Sequence, residues 1–301
     1  MNPPSSPATA EISRGDFVAE SDIEEVLKEP APSFRERVFA SKVFIIRQRR
    51  CNVSAFVALA RRLGRPVNHV LENFSLPGLR EVIRISNLYR NGAPLGVHDG
   101  GTYWHTDMSY KEDNTVFTAL CAERVPKSGA SGGTEFIDCE SAYGLLKDAV
   151  RSGAASILPD GFDLDTAMVM HRFGNRERLA NPQAAVQELR PDQMAEMGAS
   201  VRHPLIVRHP ATGRKSIYAV AATAMAIEGL SQQESIRVLD LLHDFLQTFA
   251  PRYTHRYRPG DIVVWDNLST MHRGQQIGRS EDEDDCRMLY RMNLNYMSDS
   301  R

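Results

Sequence analysis

Residues 104–107 read Trp-His-Thr-Asp, and far downstream Met271-His272-Arg273-Gly274 follows the apolar run Ile262–Trp265. His105 and Asp107 stand two apart, so on an extended segment both side chains leave the same face. With His272 they make a two-histidine, one-carboxylate set, which holds iron(II) on one face and leaves coordination positions open. Open positions separate a catalytic metal site from a structural one. The chemistry these residues could do is therefore oxygen chemistry at a non-haem iron.

Seven other histidines compete for the third ligand position: His69, His98, His171, His203, His209, His243 and His255. His98, beside Asp99, is the main rival, but its glycine-rich surroundings (residues 96–101) hold a ligand poorly. His243 falls opposite the apolar stripe of a helix and is expected to be exposed. His255 has arginine neighbours, and His203 and His209 flank prolines in expected loops.

Several elements must position such a set. Val43–Arg47 is a short apolar run suited to a buried strand. The stretch 52–63 has apolar residues at helical spacing and stops at Gly64. Strand patterns follow at 82–86, 114–120 and 134–138, and residues 141–150 read as a short helix. Residues 151–200 are the least strand-like part, with Pro, Gln and Gly scattered through them, and suit either a lid over an active site or a surface excursion without a role. Strands resume at 204–208 and 215–220. Ser231 and Glu234 form a capping box for a helix ending near Ala250. Residues 254–258, the Pro259-Gly260 turn and residues 261–265 are expected to form a hairpin, and 287–294 is the last strand. Many short strands with helices set to one side predict a mainly β, jelly-roll-like barrel with flanking helices. The expected organisation is a tail over 1–12 and one domain over 13–301, with a candidate lid around 151–200.

At 301 residues the chain can bury a substantial core. Its net charge of −2 argues against nucleic-acid binding by phosphate neutralisation. Four scattered cysteines without a CxxC pair argue against a disulfide framework or a zinc ribbon. The N-terminus lacks the basic start and apolar core of a signal peptide, and no apolar run is long enough to span a bilayer. A cytoplasmic protein acting on a small molecule, with no nucleic-acid or membrane partner and a homo-oligomeric state left open, is expected.

Trp104-His-Thr-Asp107, Ser131-Gly-Gly-Thr134 and Trp265-Asp-Asn-(x)₄-His272-Arg-Gly, with Arg287 and Arg291 beyond, resemble the taurine dioxygenase and 2,4-dichlorophenoxyacetate dioxygenase family. The resemblance runs from about Val43 to Leu294. It implies a double-stranded β-helix (a cupin-like jelly roll) and an enzyme that uses Fe(II), 2-oxoglutarate and O2. It further implies that His105, Asp107 and His272 hold the iron, and that Thr134 and Arg287 hold the distal carboxylate of 2-oxoglutarate. An arginine fork with a hydroxyl donor suits a carboxylate in any case. The pattern Arg287-(x)₃-Arg291 sets this register across the acidic segment 281–285, and Arg291 and His69 then resemble substrate-binding residues.

The implied reaction is oxidation of a small, anionic substrate, most simply its hydroxylation, with release of succinate and CO2. An aspartate at position 107 implies hydroxylation rather than the halogenation of relatives that lack it. Desaturation or ring closure of an amino-acid-like or secondary-metabolite substrate uses the same ligands. Two other classes keep the ligand set: a zinc hydrolase and a non-catalytic metal-binding barrel. Neither gives Thr134 and Arg287 a task.

Overall fold

The computed structural model describes residues 17–98, 101–113, 116–127, 132–152, 158–159, 161–179, 181–183, 189–191, 193–194 and 199–296. The expected tail 1–12, Asp99, Asn114, Thr115 and Ser131 lie outside the described residues, as do parts of 151–200.

The chain is mainly β with flanking helices. Its largest sheet runs in the order Val18–Asp22, Val43–Arg47, Ile262–Asp266, Phe117–Arg124, Met288–Asn295, Leu79–Ser86, Ser75–Leu76, and Arg65–Val67 also pairs with Met288–Asn295. Apart from Ser75–Leu76 and Leu79–Ser86, which a tight turn joins, neighbours in space are not joined by short turns, so side-chain alternation must set the register. A second, antiparallel sheet places Thr134–Asp138 between Arg252–His255 and Thr270–Gly274.

Alternation divides each strand between two cores. Phe117, Ala119 and Cys121, with Phe44, Ile46, Val264, Met292 and Leu294, face the helices Ala31–Ser41 and Val53–Arg61. Their neighbours Leu120, Ala122, Val43, Val263, Trp265 and Leu289 turn the other way and pack with Phe136 of the second sheet. Ile137 and Met271, on that sheet's outer face, pack with the helices Cys139–Arg151 and Gln232–Phe249 through Leu146, Val238, Leu239, Leu242 and Leu246. Each fully buried side chain of this size contributes about 1.5–3 kcal/mol. Two sheets thus face each other across a shared interior, with helices on both outsides.

The helix ends follow their sequence signals. Asn52 accepts from the Ala55 N–H, and Ser231 and Glu234 form the reciprocal capping box. The expected hairpin is not formed. Arg252–His255 pairs with Thr134–Asp138, whereas Ile262–Asp266 pairs with Val43–Arg47 and Phe117–Arg124. At Pro259-Gly260 the chain crosses from one sheet to the other, because the two apolar runs are buried by different partners.

The 151–200 stretch is not irregular throughout. Met168–His171 is the central strand of a third sheet, between Val201–Pro204 and Ala224–Ile227. Arg176 is buried there. Its guanidinium donates to the carbonyls of Val220 and Ala224 at 3.0 and 2.9 Å and to Asp240 at 2.5 Å. It anchors the segment that follows the strand. Among the described residues no helix is long and apolar enough to cross a membrane.

The two main sheets are also joined by a buried ion pair. Lys42, just before Val43–Arg47, donates to Asp138 at 2.8 Å, and Asp138 also caps the helix Cys139–Arg151. Lys42→Met should leave that carboxylate buried without its cation and lower the unfolding free energy by about 3–5 kcal/mol. Urea denaturation measures this, and adding Asp138→Asn should recover part of the loss.

Candidate active site

His105 and His272 meet across a single antiparallel bridge, exchanging backbone hydrogen bonds of 2.9 Å in both directions. His105 is extended, but Asp107 opens a turn rather than continuing a strand, and Met108 follows with φ of 56°. That left-handed conformation is uncommon for a side chain of this kind and belongs to a backbone held in place by its surroundings. His272 lies within its own strand, Thr270–Gly274, which starts just after the chain leaves the main sheet at Asp266. The short path between the strands brings a histidine of the second sheet against a carboxylate held by the first.

Ligand atoms of His105, Asp107 and His272 all lie within 4.8 Å of one another. His105 Nε2 is 3.5 Å from Asp107 Oδ1, and His272 Nε2 is 3.7 Å from Asp107 Oδ2. His105 Nδ1 sits 2.8 Å from the Tyr103 carbonyl. A carbonyl only accepts, so Nδ1 carries the proton and Nε2 keeps its lone pair toward the cluster. His272 is fixed by packing instead. Trp265 and Phe136 lie at ring-centroid distances of 4.6 and 6.2 Å. This donor set, converging from three sides with open cavity in front, fits a divalent metal.

Asp107 is held by groups that its own motif does not contain. Thr118 donates to Oδ2 at 2.7 Å, Asn293 donates to the same oxygen at 3.3 Å, and Arg291 reaches Oδ1 at 3.5 Å. Thr118 in turn accepts from Asn267, whose carbonyl accepts from the Trp265 indole. Burial opposes ionisation of Asp107, but Arg291 first and then the two histidines outweigh it and hold the carboxyl well below its usual range. Asn293 shares a strand face with Arg291, so period-two reading could have found it. Thr118 and Asn267 carry no such signal.

Arg287, Leu289, Arg291 and Asn293 alternate onto the inner face of Met288–Asn295 and the residue before it. Four residues of strand span about 13 Å, so the two arginines serve different ends of one cavity. Arg291 lies beside Asp107. Arg287 lies at the Gly132–Thr134 end, where its guanidinium donates to the Gly132 carbonyl at 3.1 Å. The acidic segment makes its own ion pairs. Glu283 binds Arg90 and Arg124, and Asp284 binds Lys127.

His69, His105, Asp107, Thr134, His272, Arg287 and Arg291 all line this cavity. His69 Nδ1 accepts from the Leu71 N–H at 3.0 Å, which leaves the proton on Nε2. The remaining wall is largely apolar: Leu71, Ile85, Val97, Met108, Tyr110 and Phe173. Tyr110 and Phe173 meet edge to face at 5.0 Å. Burial raises the Tyr110 phenol and pushes that of Tyr103 up to about 12.

The rival histidines stand elsewhere in the bonding. His98 lines the cavity but binds the Ile277 carbonyl at 2.8 Å and Tyr89 at 3.3 Å. His203, His209 and His255 are buried rather than in open loops, and His243 is half-buried, not exposed. His203 and His255 lie on strands that face inward, and His209 packs on Phe39.

Burial favours the neutral ring at five of the nine histidines, His203 and the candidate ligand His272 among them. His69 lies well below its ordinary value of 6.5, His171 and His272 are pushed down to about 3, and His243 to about 4. Unfolded, each ring takes up a proton near pH 6.5, so below that pH the unfolded chain binds more protons than the folded one. Stability of the metal-free protein should therefore fall as the pH is lowered from 7 to 5. A urea midpoint that stays flat over that window would contradict these assignments.

Comparisons with known proteins agree with this geometry. The family described as "Taurine catabolism dioxygenase TauD, TfdA family" matches residues 6–293. Pentalenolactone F synthase of Streptomyces arenae is 33% identical over 232 residues, covering 75% of this chain and 74% of that protein. The α-ketoglutarate-dependent 2,4-dichlorophenoxyacetate dioxygenase of Cupriavidus pinatubonensis is 25% identical over 86% of this chain and 88% of its own. The crystal structure of AAD-2 in complex with Mn(II) and N-oxalylglycine superposes with a TM-score of 0.72 at 21% identity, covering 95% of this chain and 96% of that one. The chain belongs to the TauD/TfdA family, and with it to the α-ketoglutarate-dependent dioxygenases, oxidoreductases that use iron(II), 2-oxoglutarate and O2.

Proposed function

We propose that the protein hydroxylates a small organic monoanion with an apolar body, on a double-stranded β-helix. In this reading His105, Asp107 and His272 hold the iron, and Thr134 and Arg287 hold the distal carboxylate of 2-oxoglutarate. Arg291 and His69 receive the anionic group of the substrate. Phe173 and Gly174, from the 151–200 stretch, form the cover over the substrate end.

The observation that carries the substrate class is the charge left in the cavity. Iron(II) and the dianion of 2-oxoglutarate cancel, and Asp107 offsets one of the two arginines that line the space. One positive charge remains for the substrate. Arg291 is where it is available: its contact with Asp107 is 3.5 Å long, and its Nε has no hydrogen-bond partner among the described residues. An unpaired buried donor is costly, and an anion would satisfy it. The Nε2 proton of His69 adds a second donor, and the apolar wall excludes water around the rest of the substrate.

When bound, iron(II) would let O2 act as the oxidant, 2-oxoglutarate giving two of the four electrons as it becomes succinate and CO2 and the substrate giving the other two. The chain's own residues bind, orient and exclude. Thr118, Asn293 and Arg291 keep the Asp107 carboxylate ionised and aimed, and the Tyr103 carbonyl keeps His105 in the tautomer that can coordinate.

Anaerobic addition of Fe(II) and 2-oxoglutarate should produce a weak visible charge-transfer band, and His105→Ala or Asp107→Ala should remove both that band and O2-dependent succinate formation. Full zinc occupancy with no such band would sink the reading. Arg287→Ala should chiefly raise the KM for 2-oxoglutarate. Arg291→Ala should chiefly raise that for the substrate, by roughly 30-fold or more, as expected for truncating one partner of a buried charge pair. A screen of small organic anions for succinate release identifies the substrate on which to measure this. If Arg291→Ala instead weakens 2-oxoglutarate, the two arginines are exchanged.

A further inference from the structure

Tyr257 is a half-buried polar group with no task so far. It lies between the strand Arg252–His255 and the Pro259-Gly260 crossing, and its ring stands edge-on to His255 at 4.7 Å. The ring also packs against the inner cluster that includes Phe136 and Trp265. Its hydroxyl meets Thr134 Oγ1 at 2.8 Å, the one hydrogen bond that either hydroxyl makes among the described residues.

Two hydroxyls in contact share one hydrogen bond, and the proton not used in it is free to serve a third group. If Thr134 donates to Tyr257, it has no proton left for a carboxylate. If Tyr257 donates, the Thr134 proton is free to point into the cavity. Chemistry favours the second arrangement, because a phenol is the stronger donor and an aliphatic hydroxyl the better acceptor. Burial also raises the phenol's pKa, so Tyr257 keeps its proton. Thr134 lines the cavity beside Arg287, so a proton released there faces any anion bound to that arginine.

We infer that Tyr257 is a positioning residue for 2-oxoglutarate: it donates its phenolic proton to Thr134 Oγ1 and so commits the threonine's own proton to the distal carboxylate. The inference rests on reading Thr134 and Arg287 as the distal-carboxylate site. Donors in series also polarise one another, which strengthens the terminal bond to the anion. Tyr257 need not touch the co-substrate to act.

The test uses the full-length protein loaded with Mn(II), without turnover, and two chelators. N-Oxalylglycine carries the distal carboxylate, and oxalate does not. By calorimetry Tyr257→Phe should weaken N-oxalylglycine about five- to tenfold, the size of one net hydrogen bond, and leave oxalate binding and the thermal midpoint unchanged. Thr134→Val should weaken N-oxalylglycine at least as much, and adding Tyr257→Phe to it should cost nothing further. Thr134→Ser, which keeps the hydroxyl, should retain the full Tyr257 effect. Equal weakening of both chelators, no effect of Tyr257→Phe, or full additivity with Thr134→Val would overturn the inference. Arg287→Ala separates the levels. If it does not discriminate between the chelators, the underlying reading fails; if it discriminates and Tyr257→Phe does not, only Tyr257 loses its role.

Discussion

A carboxylate taken out of water must be matched by charge and hydrogen bonds, and much of this structure is arranged around meeting that need for Asp107. Its desolvation alone would cost several kcal/mol. Thr118 and Asn293 come from adjacent strands of the main sheet, Arg291 from the same strand as Asn293, and the two histidines from the bridge between sheets. Each partner arrives only if the strand registers are right. The register of Met288–Asn295 against Phe117–Arg124, which opposes Asn293 to Thr118, is thus tied directly to the state of that carboxylate.

The same alternation that builds the cores builds the site. On the last strand the odd-numbered positions carry Leu289 and Arg291 into the cavity and Asn293 onto Asp107, with Arg287 just before them, while Met292 and Leu294 fill the helix-facing core. A slip of one residue would exchange the two sets and put arginines into hydrocarbon. Stability and chemistry are therefore specified by one pattern. The helices on either side make the outer faces dry, which frees the inner face to carry charge.

Much of the site was legible before the structure because its ligands sit in short local motifs. Trp104–Asp107, Gly132–Thr134 and His272–Gly274 each place a candidate side chain within a few residues of a marker, and the family resemblance gave them an order. Strand and helix patterns at 43–47, 134–138 and 232–249 were equally local. What could not be read is what depends on pairing at long range. The run at 254–258 looked like one arm of a hairpin, yet the strand there is Arg252–His255 and its partner lies more than a hundred residues earlier in the chain, at 134–138. His203 and His209 looked like loop residues, and His255 like a polar strand position beside arginines, because their neighbours say nothing about which face packs inward. Thr118, Asn267 and Tyr257 have no motif. Their roles exist only once distant strands bring them to Asp107 and Thr134.

The central claim is that one end of this cavity holds a metal on His105, Asp107 and His272, while the other holds a carboxylate on Thr134 and Arg287, with Arg291 kept for the substrate. The most direct test is a crystal structure of the protein with Mn(II) and 2-oxoglutarate, with the metal located by anomalous scattering. One anomalous peak is expected at bonding distance from His105 Nε2, Asp107 and His272 Nε2, with the distal carboxylate held by Thr134 and Arg287. A peak away from those three side chains, or a distal carboxylate seated on Arg291, would contradict that claim.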